Sequence, residues 1–78
     1  MLTLLELPIG EVAEIVAIRG GWGILRNLAA LGLVPGKKVR TIAIQPIGGP
    51  VMIEILGGSR VAIGRGMAAK ILVKRELS

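Results

Sequence analysis

Ile24, Leu25, Leu28 and Leu31 recur at three- and four-residue spacing, which places them on one face of a helix and turns Arg26, Asn27 and Ala30 to the other sides. Gly32 follows as a left-handed stop. Pro35-Gly36 then sets a type II turn, with proline fixing φ at the first central position and glycine taking the positive φ of the second. A strand begins at Lys37 and runs to Ile44.

Alternation marks the strands, and its breaks are informative. Glu11 to Ile18 is rich in Val and Ile, but strict alternation separates Ile15 from Ile18, so burying both requires a bulge or a sharp bend. The same conflict recurs in Lys37 to Ile44, where Lys38 and Arg40 share a parity with Ile42 and Ile44. A strand that exchanges faces part-way resolves it, and two such strands imply a closed, strongly curved sheet. Val51 to Leu56 alternates cleanly, with Val51, Ile53 and Ile55 on one side and Glu54 on the other. Gly57-Gly58 predicts a two-residue hairpin loop of the primed type, leading into Ser59 to Ile63. Pro8-Ile9-Gly10 and Gln45 to Pro50 are turns or loops, as is Gly20-Gly21-Trp22-Gly23. Gly64 to Lys70 fits one helical turn before a last strand, Ile71 to Lys74.

These elements predict a mainly β fold: a small SH3-like β-barrel of five strands, with one short α-helix inserted after the first long strand and a short helical turn before the last. One domain over residues 1–78 is expected, because a chain of 78 residues buries only roughly 60% of its unfolded surface and has no room for a second core. With 53% hydrophobic residues but one Trp and no Phe or Tyr, that core is aliphatic. Charges, Gly or Pro interrupt every apolar run before the ~18 residues a spanning helix needs. The first ten residues carry Glu6 and Pro8 and no basic segment ahead of an apolar one, so no signal peptide is read and a cytoplasmic location is expected.

The absence of His, Cys and Asp removes Ser-His-Asp and Cys-His catalysis, and with it the commonest transition-metal ligands, so neither a cofactor nor a dedicated metal site is expected. Gly32 to Lys37 has three residues between its glycines where a Walker phosphate loop needs four, and Lys38 stands where Ser or Thr is required. The chain reads as a non-enzyme. Its net charge of +5 implies an acidic partner, which leaves an acidic protein face, anionic lipid or nucleic acid. Base stacking would rest on Trp22 alone, so specific nucleic-acid recognition is not expected; phosphate contact by Lys37, Lys38 and Arg40 is the alternative that charge leaves open.

Leu7 and Gly10, the block Arg26 to Gly36 with Val39, the loop Pro46 to Pro50 and the closing Ala68 to Val73 together resemble the FeoA family and the related SH3-like domain that ends some iron-dependent repressors. Departures are Gly49 where the family commonly has Asp, Asn27 where it tends to complete a basic pair, and the glycine-rich Gly64-Arg65-Gly66. The resemblance implies a cytoplasmic accessory of ferrous iron uptake that binds the cytoplasmic part of a FeoB-like GTPase transporter and carries no iron itself. Three surfaces are candidates. Trp22 is either an exposed apolar anchor or a lid over the barrel end. Arg26 and Asn27 form the outer helix face, functional or merely solvated. Lys37, Lys38 and Arg40 supply charge for an acidic transporter face or for peripheral contact with the anionic inner leaflet. Weak homo-oligomerisation through barrel edges is compatible with all three.

Overall fold

The computed structural model describes residues 1–76. The expected domain end at residue 78 lies outside the described residues. The elements are β1 (Leu2–Thr3), β2 (Val12–Ile18), α1 (Trp22–Ala30), β3 (Lys38–Ile44), β4 (Val51–Ile55), β5 (Arg60–Ile63), α2 (Arg65–Ala68) and β6 (Ile71–Arg75). They form a six-stranded antiparallel sheet in the order β1-β6-β2-β3-β4-β5.

Both predicted face changes are bulges. Between Ile15 and Ala17 the register with β6 advances two residues against one, leaving Val16 as the extra residue. Ala13 and Ile15 therefore point into the core, and Ile18 still packs against it. In β3 the register with β4 slips between Thr41 and Ala43, leaving Ile42 as the extra residue. Val39 and Thr41 face inward before the slip. After it Ile44 opposes the buried Val51 and returns to the core. Each bulge also sharpens the local twist, which is how so short a sheet wraps an aliphatic interior.

That interior joins every layer of the chain: Leu28 from α1, Ile53 and Ile55 from β4, Ala68 from α2, and Ile71 and Val73 from β6. Thr41 is the one buried polar residue among those described, and its hydroxyl has no hydrogen-bond partner there.

Three expectations need correction. The sheet has a sixth strand, β1, paired through Leu2 to Val73 and Thr3 to Leu72. Beyond it the fully buried Leu4 and Leu7 close one side of the core, a contribution without periodic signature in the sequence. Second, the β4–β5 turn centres on Leu56-Gly57. The Gly58 N–H donates to the Ile55 carbonyl (2.9 Å) and Gly57 alone has positive φ (78°), whereas a type I′ loop at Gly57-Gly58 needs it at both. Third, Leu31 is 40% exposed, and the position expected of it is filled by Leu33.

The helix end explains that exchange. The Leu33 N–H donates to the Leu28 carbonyl and the Gly32 N–H to the Ala29 carbonyl, each at 2.9 Å, which is the paired pattern of a Schellman stop. Gly32 sits at φ 88°, and the reversal swings Leu33 back onto Leu28 while Leu31 rolls outward. The type II turn then forms as expected: Gly36 has φ 95° and the Lys37 N–H reaches the Val34 carbonyl at 3.2 Å.

Candidate functional site

Trp22 opens α1 instead of sitting in the loop before it. Helix formation there depends on a close approach. Gly20 has φ 135°, a backbone conformation that favours glycine, and a Cβ there would also crowd Ile24, 2.8 Å from its Cδ1 and 3.2 Å from its Cβ, where the chain folds over that side chain. With Ile24 and Leu28 directed to the core side, Trp22 and Arg26 are left one turn apart on the outer face. Trp22 is 80% exposed, so it does not cover the barrel end as a lid would. Arg26, Asn27, Ala29 and Ala30 are exposed beside it, giving an apolar ring flanked by one cation and small side chains. Arg26 makes no ion pair among the described residues.

The three basic residues of the β3 region do not act as one patch. Lys37 is exposed at the end of the type II turn and unpaired among the described residues. Lys38 Nζ bonds Glu76 Oε1 at 3.0 Å. Arg40 holds Glu54 with both Nε (3.0 Å) and Nη2. Strand register organises these charges into rows across the outer face of the sheet: Lys74, Glu14 and Lys38 on β6, β2 and β3, then Arg40, Glu54 and Arg60 on β3, β4 and β5. Arg75 closes the pattern by donating to Glu11 (Nε, 3.0 Å).

Glu11, Glu54 and Glu76 are therefore paired with cations, Glu14 lies in register between Lys74 and Lys38 without an ion pair among the described residues, and Glu6 accepts the Thr3 N–H (2.8 Å) at the N-terminus. Sequence reasoning read the cations and missed their partners. The parity of Glu54, opposite the core-facing Ile53 and Ile55, held the available signal; for Glu76 there was none, because Lys38 is 38 residues away. A shallow groove of about 550 Å³ lies between Val12, Lys38, Leu56 and Glu76, with an apolar floor, and its two charged groups, Lys38 and Glu76, are paired with each other. No cluster of three His, Cys, Asp or Glu side chains able to hold a metal occurs among the described residues.

The family model for the FeoA domain matches residues 2–75, almost the whole chain. The chain belongs to the FeoA family. Among proteins similar to this FeoA-family chain is one named Fe(2+) transport protein A, from Methanocaldococcus jannaschii, 40% identical over 65 residues that span 83% of this chain and 76% of that one. The crystal structure of an iron uptake regulatory protein (FeoA) superposes with a TM-score of 0.87 at 33% identity, covering 96% of this chain and 97% of its own. Stenotrophomonas maltophilia FeoA, solved with zinc and described as a procaryotic SH3 domain protein, superposes with a TM-score of 0.77 at 31% identity, covering 95% and 91%. The SH3-like, mainly β architecture is thus that of the family. Among the described residues, no helix is long and apolar enough to cross a membrane.

Proposed function

We propose that this FeoA-family chain is a small cytoplasmic accessory protein of ferrous iron uptake, acting by binding the cytoplasmic part of a FeoB-like GTPase transporter. The family match over residues 2–75 carries the reading. The contact surface is the outer face of α1. Trp22 supplies the anchor, because a large exposed aromatic is the kind of residue that dominates interface energetics once desolvated. Arg26 and Asn27 border it with polar groups. Lys37 adds long-range attraction to an acidic partner face, with the anionic inner leaflet as a secondary contact at about 1 kcal/mol per basic residue. Lys38 and Arg40 contribute less than their charge implies, since each already faces a carboxylate.

Binding of the purified protein to the immobilised cytoplasmic portion of the transporter tests the reading. Trp22→Ala is expected to weaken binding about tenfold or more with little change in melting temperature, as an exposed hot-spot residue should. Arg26→Glu and Lys37→Glu are expected to weaken it mainly at low salt, and Lys38→Glu less than Lys37→Glu. Absence of binding by the wild type, or full binding by Trp22→Ala, refutes this account. Salt-dependent retention of duplex DNA or RNA without the transporter would instead establish the basic small-barrel nucleic-acid reading.

A further inference from the structure

The loop between β3 and β4 is built around an anomaly. Ile47 has φ 56°, in the left-handed region that β-branched side chains avoid, and it is 100% exposed. Ile47 and Gly48 (φ 71°) are the central pair of a turn closed by the Gly49 N–H on the Pro46 carbonyl (3.4 Å); that turn calls for Asn or Gly at the first position, and a branched aliphatic stands there instead. The loop is nevertheless tightly held. Its neck closes through the Gln45 N–H to the Pro50 carbonyl (3.1 Å), Arg65 Nη2 on α2 donates to the Gln45 carbonyl (2.9 Å), and a Cβ on Gly49 would lie 2.5 Å from Gln45 Cβ. Two prolines stiffen the remainder. The strained residue is presented by a rigid mount, the arrangement in which backbone strain accompanies a binding role.

The surroundings define what the tip can meet. Residues 41–50 and 7–10 contain no charged side chain. Ile9, 58% exposed, joins the same end of β3 through the Gly10 N–H to the Thr41 carbonyl bond (2.8 Å). The nearby Arg65 keeps its charge but sits at the base of the loop, donating to the Gln45 carbonyl and not reaching the tip residues by any bond. An anionic leaflet is held by free Lys and Arg at the contact, and this tip offers none. A neutral, rigid, branched aliphatic projection is instead complementary to a neutral apolar pocket on a folded protein. The tip is also separate from Trp22: α1 follows the end of β2 and the loop follows the end of β3, and because these strands are antiparallel the two sites leave that strand pair at opposite ends.

We infer that Ile47 is a second docking point, inserting from the β3–β4 loop into an uncharged apolar pocket on the FeoB-like partner; this rests on the proposed function and adds a salt-independent contact to the α1 surface.

The test combines melting with binding to the purified cytoplasmic portion of the transporter, using wild type, Ile47→Gly, Ile47→Asn and Ile47→Leu. Both Gly and Asn accept left-handed backbone, so each is expected to raise the melting temperature or leave it unchanged. Both are expected to weaken binding about tenfold or more, at low and high salt alike, as loss of one buried aliphatic side chain requires. Ile47→Leu is expected to retain most of the affinity. Wild-type affinity in Ile47→Gly, with Trp22→Ala still impaired, overturns this inference and leaves the proposed function standing. Failure of the wild type to bind overturns both. Two controls name other occupants: binding to phosphatidylglycerol vesicles that Ile47→Gly abolishes would assign the tip to lipid, and self-association in sedimentation that it abolishes would assign it to a second copy. Either result overturns the inference.

Discussion

Substituting Gly32 by Ala separates two costs that the helix stop combines. Holding a Cβ in left-handed backbone costs roughly 1–2 kcal/mol, and Ala recovers about 0.4–1 kcal/mol because its unfolded chain has fewer conformations to lose. Gly36 isolates this balance. Its φ is 95°, close to the 88° of Gly32, and an added Cβ there meets nothing within 4 Å. Gly36→Ala should therefore cost about 1 kcal/mol. At Gly32 the same Cβ lies 3.1 Å from Ile55 Cδ1, and Ile55 belongs to the core with little room to move. Pushing that side chain off its rotamer adds about 0.5–1.5 kcal/mol. For a domain of this size a loss of 1 kcal/mol lowers the melting temperature by about 4–8 °C, so Gly32→Ala should melt roughly twice as far below wild type as Gly36→Ala. Far-UV circular dichroism melts, with urea titrations for free energies, measure both. Ile55→Val supplies the decisive background because it deletes Cδ1: there Gly32→Ala should cost no more than Gly36→Ala. An equal cost of the two glycine substitutions in the wild type, or an unchanged Gly32→Ala cost in the Val background, would refute the assignment of the excess to the Ile55 contact.

Three further outcomes follow from the core and the charged face. Thr41→Val removes a fully buried hydroxyl that has no partner among the described residues, and it is expected to stabilise by about 1 kcal/mol or more, read as a higher urea midpoint with unchanged slope. Leu28→Ala hollows the point where α1 meets Leu33 and is expected to cost about 2–5 kcal/mol, enough to leave a domain of this size marginal by calorimetry. A double-mutant cycle of Arg40→Ala with Glu54→Ala should give a coupling of about 1 kcal/mol or less that shrinks in high salt, because the pair lies at the surface; a larger, salt-insensitive value would contradict that placement.

Local sequence carried the features that depend on local parity. The clash of Ile15 with Ile18, and of Lys38 and Arg40 with Ile44, signals that each strand exchanges faces by a bulge or a bend; that both are bulges, at Val16 and Ile42, is set by the register with β6 and β4. The helix stop and type II turn were readable because Gly32, Pro35 and Gly36 have narrow conformational roles. What escaped depends on distant chain. The two residues of β1 have no period of their own, and β6, some 70 positions on, fixes their register. Leu31 satisfies the helical spacing, yet the reversal after it makes Leu33 the residue that returns to the core. Trp22, framed by glycines, looked like loop until the fit of Gly20 over Ile24 showed where the helix starts. Of the candidate surface, Trp22 and Arg26 are brought onto one face, while Lys38 and Arg40 are drawn into carboxylate contacts that no spacing announces. Ile47 gave no signal, because left-handed backbone at a branched residue is the opposite of what its type predicts.

The pairing of Leu2 with Val73 has an architectural consequence. Cross-strand neighbours stand about 5 Å apart, so the polypeptide enters and leaves this fold at nearly the same point, while α1 and the 45–50 loop lie elsewhere on its perimeter. Such a unit can be spliced into a surface turn of another protein, or strung in series, through a short tether that disturbs neither strand. The seam acts as a hilt: whatever is joined there, the proposed docking faces of the module remain turned outward.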